Sequence, residues 1–312
     1  MGALQKFRFV AIAREMRMSS VEMLIFTRFS IPSRTGFRVY SQFEERVHQQ
    51  YWIAPWFRNL FIKTVSLGRS HSTEDVAEFL YRPSRMERRF FLFEKICLPS
   101  LAHQSFQEFR HIVLASKTMP EKYQRRLAGL KRRFNFEIAY LEEGEDFTSA
   151  SKRFVNEEFR DKELAITCRL DDDDALGRDT LGKIYRVSNA IGDSAIVSLA
   201  EGFELGLGAS KVSFKNRRIP FLALGLTYVE RMSENPKTIF GCGDHTRASL
   251  AYDSFIINDK AAFIMTTHRD GASARPLLGS TDRSALVGAY GEILREQFGI
   301  DLPEVLDREC MR

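Results

Sequence analysis

Short apolar runs of strand length alternate with longer amphipathic stretches through the first half of the chain. "VEMLIFT" (21–27), "RHIVLAS" (110–116), "NFEIAYLE" (135–142) and "LAITCRL" (164–170) are each too short for a buried helix and rich in β-branched or aromatic residues. Between them, "PSRMERRFFLFEKICLPSLAHQS" (83–105) carries apolar residues at helical spacing and predicts a helix up to Pro99. "MPEKYQRRLAGLKRRF" (119–134), with a proline near its start, predicts the next helix, the polar "NEEFRDKE" (156–163) another, and "GRDTLGKIYRVSNAI" (177–191) a fourth. Strands alternating with helices in this way imply a mostly parallel, Rossmann-like sheet covered by helices on both faces.

The pattern changes near residue 195. "SAIVSLAEGFELGL", "SKVSFKNRRIPFLALGLTYVE" and "KTIFGC" favour strands with glycine turns, "GDHTRASLAYDS" a short helix, and "AAFIMTTHRDGASAR" an edge strand leaving into a loop. No linker rich in proline, glycine and serine separates the halves. The expected organisation is therefore an N-terminal leader over 1–20, an α/β half over 21–190, and a β-richer half over 191–312 of one continuous domain. "GFELGLGASK" (202–211) is glycine-rich but has neither the P-loop nor the dinucleotide spacing, and reads as a turn.

Composition narrows the classes. At 312 residues, with 44% hydrophobic and 28% charged residues, the chain is globular rather than disordered or membrane-spanning. A net charge of +5 suits a basic cleft for phosphorylated metabolites. The basic runs at 82–90 and 122–134 lack interleaved stacking aromatics, so no nucleic-acid partner is expected. Cys97, Cys168, Cys242 and Cys310 are widely separated, which fits a reducing cytoplasm and neither a zinc site nor a disulfide framework. The basic N-terminal stretch "KFRFVAIAREMRMSS" is broken by arginine and does not make a signal peptide; Met16 and Met18 could mark alternative starts. The aromatic "YWIAPWFRNLF" (51–61) could dock a lipid or an acceptor at the inner face of a membrane, or be buried.

The densest chemistry is four consecutive aspartates, Asp171 to Asp174, directly after "LAITCRL". Ligands of open α/β sheets sit beyond the carboxyl ends of the strands, which is where this run falls. Packed carboxylates raise one another's pKa and need a cation or a set of donors. Mg²⁺ or Mn²⁺ meets that need with one or two carboxylates, its other positions filled by water and phosphate oxygens. The structural alternative is that the run caps the following helix, although one or two acids would suffice for that. Calcium-loop spacing is absent.

"RLDDDDAL" (169–176) resembles the DxD motif of GT-A glycosyltransferases. With "FTRFSI" (26–31), "RRFFLFEKICLPSLAHQS" (88–105), "FRHIVLASKTMP" (109–120) and "ITCRLDDDDAL" (166–176), in that order, the chain resembles the bacterial "Putative rhamnosyl transferase" family over roughly residues 23 to 180. The resemblance implies a GT-A-like α/β fold and a metal-dependent hexosyltransferase of polysaccharide biosynthesis. It would move a sugar, rhamnose by the family's description, from a dTDP- or UDP-linked donor to a glycan or lipid-linked saccharide. It also implies that Asp171 and Asp173 match the two acids of the motif, with Asp174 beside them. Asp172 turns away from the metal, or towards the donor, if the strand end stays extended. The register of four identical residues is open by one position.

The late "TTHRDGASAR" (266–275) resembles the GT-A loop from which a histidine completes metal coordination, which makes His268 a metal candidate and Asp270 an acceptor contact or a turn residue. Asp244, at a helix start after glycines, is the candidate for the base that deprotonates the acceptor hydroxyl, with a helix cap the alternative and His245 the second choice. A base is needed only for inversion, the outcome expected from a β-linked rhamnosyl donor. Arg28 and Arg169 could fork onto a nucleotide diphosphate, or Arg169 could pair with an aspartate. Arg85 and Arg89 share a helical face that could reach the same cleft or face solvent, with solvent the expectation. Two other functions fit the acidic run: a metal-dependent phosphohydrolase with an aspartate nucleophile, and a non-catalytic nucleotide-sugar-binding protein. Against the first, the acids lie mid-chain, after several strands.

Overall fold

The four apolar runs become four parallel strands whose alternate residues are buried on opposite faces. The structure is a computed structural model that describes residues 22–32, 73–142, 145–208, 212–268 and 282–309. The expected leader, the aromatic segment at 51–61, Asp270 and Cys310 lie outside these residues.

In chain order, β1 (Met23–Arg28) is followed by helices α1 (Thr73–Leu80) and α2 (Pro83–Leu92). A π-helical turn (Phe93–Cys97) then leads into α3 (Leu98–Ala102). Next come β2 (Phe109–Ser116), α4 (Glu121–Lys131), β3 (Glu137–Leu141), α5 (Phe147–Glu158) and β4 (Leu164–Arg169). Met23, Ile25, Val113, Ala115, Ile166 and Cys168 pack on one face of these strands with Phe90, Phe93, Tyr123 and Leu127 of the helices. Leu24, Phe26, Ile112, Leu114, Ala139 and Ala165 pack on the other with Ala150 and Val155 of α5. The period-two pattern is thus apolar on both sides, as a sheet covered by helices on both faces requires.

The second half adds β5 (Ala175–Leu176), α6 (Thr180–Ile191), β6 (Ala195–Leu199), β7 (Glu201–Leu207), β8 (Val212–Arg218) and β9 (Thr227–Arg231). It continues with α7 (Ala248–Ala251), β10 (Ser254–Ile257), β11 (Phe263–His268), α8 (Arg283–Phe298) and α9 (Leu302–Glu309). Seven strands form the first sheet in the order β10-β6-β9-β4-β1-β2-β3, and four form a second, β5-β11-β7-β8. β9 runs antiparallel to β4 and β6, so the first sheet is mixed. Phe203, Leu205, Val212 and Ile264 of the second sheet pack on Leu286, Leu294 and Phe298 of α8 and on Leu302 and Val305 of α9. This is the expected α/β architecture, a sheet flanked by helices, with a β-richer C-terminal half.

Several sequence expectations change. The helix does not stop at Pro99. The Leu98 N–H donates to Phe93 O, five residues back, and this wider turn carries the helix past a residue with no N–H to give. The polar stretch at 156–163 supplies only the end of α5, which starts at Phe147 with Asp146 Oδ1 accepting from the Ser149 N–H at 2.9 Å. "KTIFGC" forms a 3₁₀ turn over Ile239–Cys242 rather than a strand. β11 is not an edge strand: it lies between β5 and β7. Among the described residues no helix is long and apolar enough to cross a membrane.

Candidate active site

The chain runs from β1 outward through β2 and β3 on one side, and β4 returns on the other side of β1. The carboxyl ends of β1 and β4 therefore flank a topological switch point, where open α/β sheets bind ligands. Arg28 ends β1, Arg169 ends β4, and Phe26 is the register partner of Arg169. The aspartates follow at once and lead into β5, so this short segment joins the two sheets and brings β11 against it.

The run is a turn, closed by the Asp174 N–H donating to Asp171 O at 3.2 Å, and its side chains consequently diverge. Asp171 is held by Arg169, whose Nη2 lies 3.2 and 3.1 Å from the two carboxylate oxygens, and Arg28 Nη2 lies 3.5 Å away. Asp172 is wholly buried and gripped by Arg89, with Nε donating to Oδ2 at 2.9 Å and Nη2 against Oδ1. Asp173 Oδ2 accepts from Arg89 Nη1 at 3.0 Å and lies 3.0 Å from His268 Nε2. Asp174 Oδ1 accepts the Thr266 backbone N–H at 2.9 Å. None of the four caps α6, whose N-cap is Asp179, so the capping alternative fails.

Electrostatics separates the four. Burial would raise the pKa of Asp171, but Arg169 and Arg28 outweigh it and hold that carboxyl below the ordinary range. Burial of Asp173 is likewise outweighed, by Arg89 and by the hydrogen bond with His268. Asp174 goes the other way: burial, then repulsion from Asp173 and Asp171, push its pKa well above the usual value. Asp171, Asp172 and Asp173 are thus answered by guanidiniums, while Asp174 has an amide N–H, and a proton or a cation would relieve it.

This arrangement bears on a divalent metal. Among the described residues no group of three or more His, Cys, Asp and Glu is gathered as a metal would need from protein alone. The Asp173 carboxylate and the His268 imidazole do converge, His268 Nδ1 is buried without a partner among the described residues, and the pull of Arg89 on Asp174 is outweighed by burial and its neighbouring carboxylates. The carboxylate suits Mn²⁺ or Mg²⁺, and the imidazole favours Mn²⁺ of the two, with the rest of the shell left to oxygens from outside the chain. The donor set fits a metal shared with substrate. Burial, and then the charge of Asp174, push the pKa of the Cys97 thiol well above its ordinary value.

Arg28 lies 5.3 Å from the ring of Phe147 and 5.9 Å from that of Phe240, a partly aromatic wall beside the switch point. Asp244 caps a 3₁₀ turn: its Oδ1 accepts from the Thr246 N–H and Oγ1, both at 2.9 Å, and these bonds hold its pKa down. His245 is partly buried, and burial followed by Arg169 lowers its pKa; Asp171 and Arg28 act on it as well, which places it beside the cleft.

Two arginines depart from the sequence reading. Arg89 lies among the aspartates rather than in solvent, and Arg85 is buried, with Nη1 donating to Ser30 Oγ at 3.1 Å and Leu80 O at 2.9 Å. The available signal was their position on the α2 face that also carries Met86 and Phe90, both buried. Gln104 was also missed. Its Nε2 donates to the carbonyls of Leu176 and Gly177, at 3.2 and 2.9 Å, and its Oε1 accepts the Leu181 N–H at 3.1 Å, fixing the segment beyond the aspartates.

The model of the "Putative rhamnosyl transferase" family matches residues 62–280, well over half of the chain. The chain belongs to that family. No functionally curated sequence matches this member. Among solved structures it is similar to the S. aureus TarS 1-349 fragment, at 15% identity over 58% of this chain and 57% of that one, with a TM-score of 0.36. The match thus spans little more than half of the TarS fragment. HddC from Yersinia pseudotuberculosis gives 13% identity over 78% of this chain and 92% of that one, with a TM-score of 0.32. A "putative nucleotide-diphospho-sugar transferase" from Desulfovibrio desulfuricans G20 gives 8% identity over 94% and 98%, with a TM-score of 0.36.

Proposed function

We propose that this family member is a glycosyltransferase that moves rhamnose from a dTDP- or UDP-linked donor to a hydroxyl of a glycan or lipid-linked saccharide. The observation that carries the reading is the acidic turn at the switch point, flanked by Arg28 and Arg169 and met from the second half by His268. Arg28 and Arg169, oriented through Asp171, fork onto the diphosphate. Asp173 and His268 would hold Mn²⁺ or Mg²⁺, with Asp174 next to them. A bound divalent ion supplies Lewis-acid neutralisation of charge on the leaving diphosphate.

His245 is the better placed acceptor base. It lies beside the cleft with a lowered pKa, so it is neutral and able to accept a proton at neutral pH, whereas the Asp244 carboxylate is committed to its turn. The acceptor oxygen attacks the anomeric carbon as its proton passes to the imidazole, and the bond from that carbon to the diphosphate breaks.

Thermal shifts with UDP, dTDP and GDP, each with and without Mn²⁺, test the site on wild type and Asp173→Asn. Stabilisation by one nucleotide that needs the metal, about 2.7 kcal/mol at a hundredfold excess over Kd, should disappear in the variant. If no nucleotide shifts either protein, the donor site is not here. Nucleotide release that depends on an added acceptor distinguishes transfer from simple binding.

A further inference from the structure

β11 is held unequally on its two sides. Towards β7 it is paired from Ile264, opposite Phe203, to His268, opposite Leu207. Towards β5 the pairing covers only Phe263 with Leu176 and Ile264 with Ala175. Continued along the chain, that antiparallel ladder would set the backbones of Asp174 and Asp173 beside Met265 and Thr266. The chain turns away there instead, as the Asp174 N–H closes the aspartate turn onto Asp171 O at 3.2 Å.

A side chain takes the place of the missing strand. Asp174 Oδ1 accepts the Thr266 N–H at 2.9 Å, and both residues are buried. Backbone groups alternate between the two sides of a strand, so the N–H of Thr266 faces the β5 side and those of Met265 and Thr267 face β7. Two residues on, the buried His268 lies with Nε2 3.0 Å from Asp173 Oδ2. Adjacent acids of one turn thus hold alternate residues of β11, one through the backbone and one through the side chain. The start of the strand is anchored separately: the Gly177 N–H and Thr180 Oγ1 both donate to Ala262 O at 2.9 Å.

We propose that Asp174 is a positioning residue rather than a metal ligand: its carboxyl stands in for a strand backbone and, through Thr266, sets where the His268 imidazole meets Asp173. This rests on the reading of Asp173 and His268 as the metal pair. Accepting an N–H needs an oxygen and no negative charge, whereas holding a hard divalent ion draws on the carboxylate. Asparagine keeps the first capacity and gives up the second. Asp173 and Asp171 act on Asp174 as like charges, so an amide NH₂ in their place of repulsion is favourable.

Amide hydrogen exchange by NMR and carbethoxylation of histidines by diethylpyrocarbonate, read residue by residue on the metal-free full chain, test the positioning. In wild type and Asp174→Asn the Thr266 amide should be protected and His268 slow to react. In Asp174→Ala both should quicken about tenfold or more, while the Met265 amide, which faces β7, keeps its rate; a general loss of stability would quicken both amides. Mn²⁺ binding in the presence of UDP or dTDP, followed by electron paramagnetic resonance, should stay within about threefold of wild type in Asp174→Asn, weaken about tenfold or more in Asp174→Ala, and vanish in Asp173→Asn. Unchanged Thr266 exchange in Asp174→Ala, or an Asp174→Asn variant that binds Mn²⁺ as poorly as Asp173→Asn, overturns the proposal. A wild type that binds no Mn²⁺ with either nucleotide refutes the donor-site reading instead, and the metal-free measurements still decide the role of Asp174.

Discussion

Replacing Arg89 by methionine keeps most of the side-chain stem and removes a guanidinium on which two adjacent carboxylates depend. Asp172 is wholly buried, and Arg89 serves both of its oxygens, Nε donating to Oδ2 at 2.9 Å. Asp173 loses one donor at 3.0 Å but keeps His268. The cost is therefore set by Asp172, and stranding one member of a buried ion pair costs about 3–5 kcal/mol. At about 2 °C per kcal/mol for a chain of this size, the melting temperature should fall by about 6–10 °C. Replacing both partners, Arg89→Met with Asp172→Leu, removes the stranded charge and should recover at least half of the loss. Urea denaturation of wild type, both single variants and the double variant gives the cycle, with an expected coupling of about 2–3 kcal/mol. A loss below about 1 kcal/mol for Arg89→Met, or additivity within about 0.5 kcal/mol, would refute the reasoning and return Arg89 to solvent.

Further outcomes follow from other residues. His111 is buried against Thr27, and burial lowers its pKa from 6.5 to about 3. Below about pH 6.5 the unfolded chain takes a proton that the folded one refuses, so stability falls by about 1.4 kcal/mol per pH unit until the folded pKa is reached. Urea midpoints at about pH 7 and about pH 4.5 should separate more in the wild type than in His111→Phe, by about 3 kcal/mol, and equal separations would contradict this. Gly177→Ala would place a Cβ 2.0 Å from the Ala261 carbonyl oxygen, so the β5–β11 junction must move, at a cost of about 1–3 kcal/mol that thermal melting reads. His245→Gln should lower transfer about 10²-fold or more, and the acid limb of the wild-type rate should lie below pH 6.5, because the pKa of His245 is lowered from that value. Asp244→Asn, which keeps an oxygen for Thr246, should leave transfer within a few-fold; equal losses in the two variants would move the base role to Asp244.

The strands of the first half were legible because their apolar residues alternate onto two buried faces, and local periodicity is enough to reveal that. The position of the aspartates beyond a strand end was legible for the same reason, as was the candidacy of Arg28 and Arg169, polar residues at the ends of apolar runs, whereas His268 was singled out by resemblance alone. What each aspartate does was not legible. Four identical neighbours carry no directional information, and only the turn closed by Asp174 and Asp171 sends one to Arg169, one to Arg89, one to His268 and one to the Thr266 amide. Arg89 shows the limit most plainly: its partners lie more than eighty residues away, and a helical pattern of charges reads the same in solvent as over a buried acid. The path through Pro99 depended on a widened turn that propensity does not encode, and the central place of β11 depended on β5, two residues that no periodicity could detect. Sequence fixes local pattern because side-chain spacing is local; tertiary structure decides charge pairing because the groups concerned meet only after distant segments have packed.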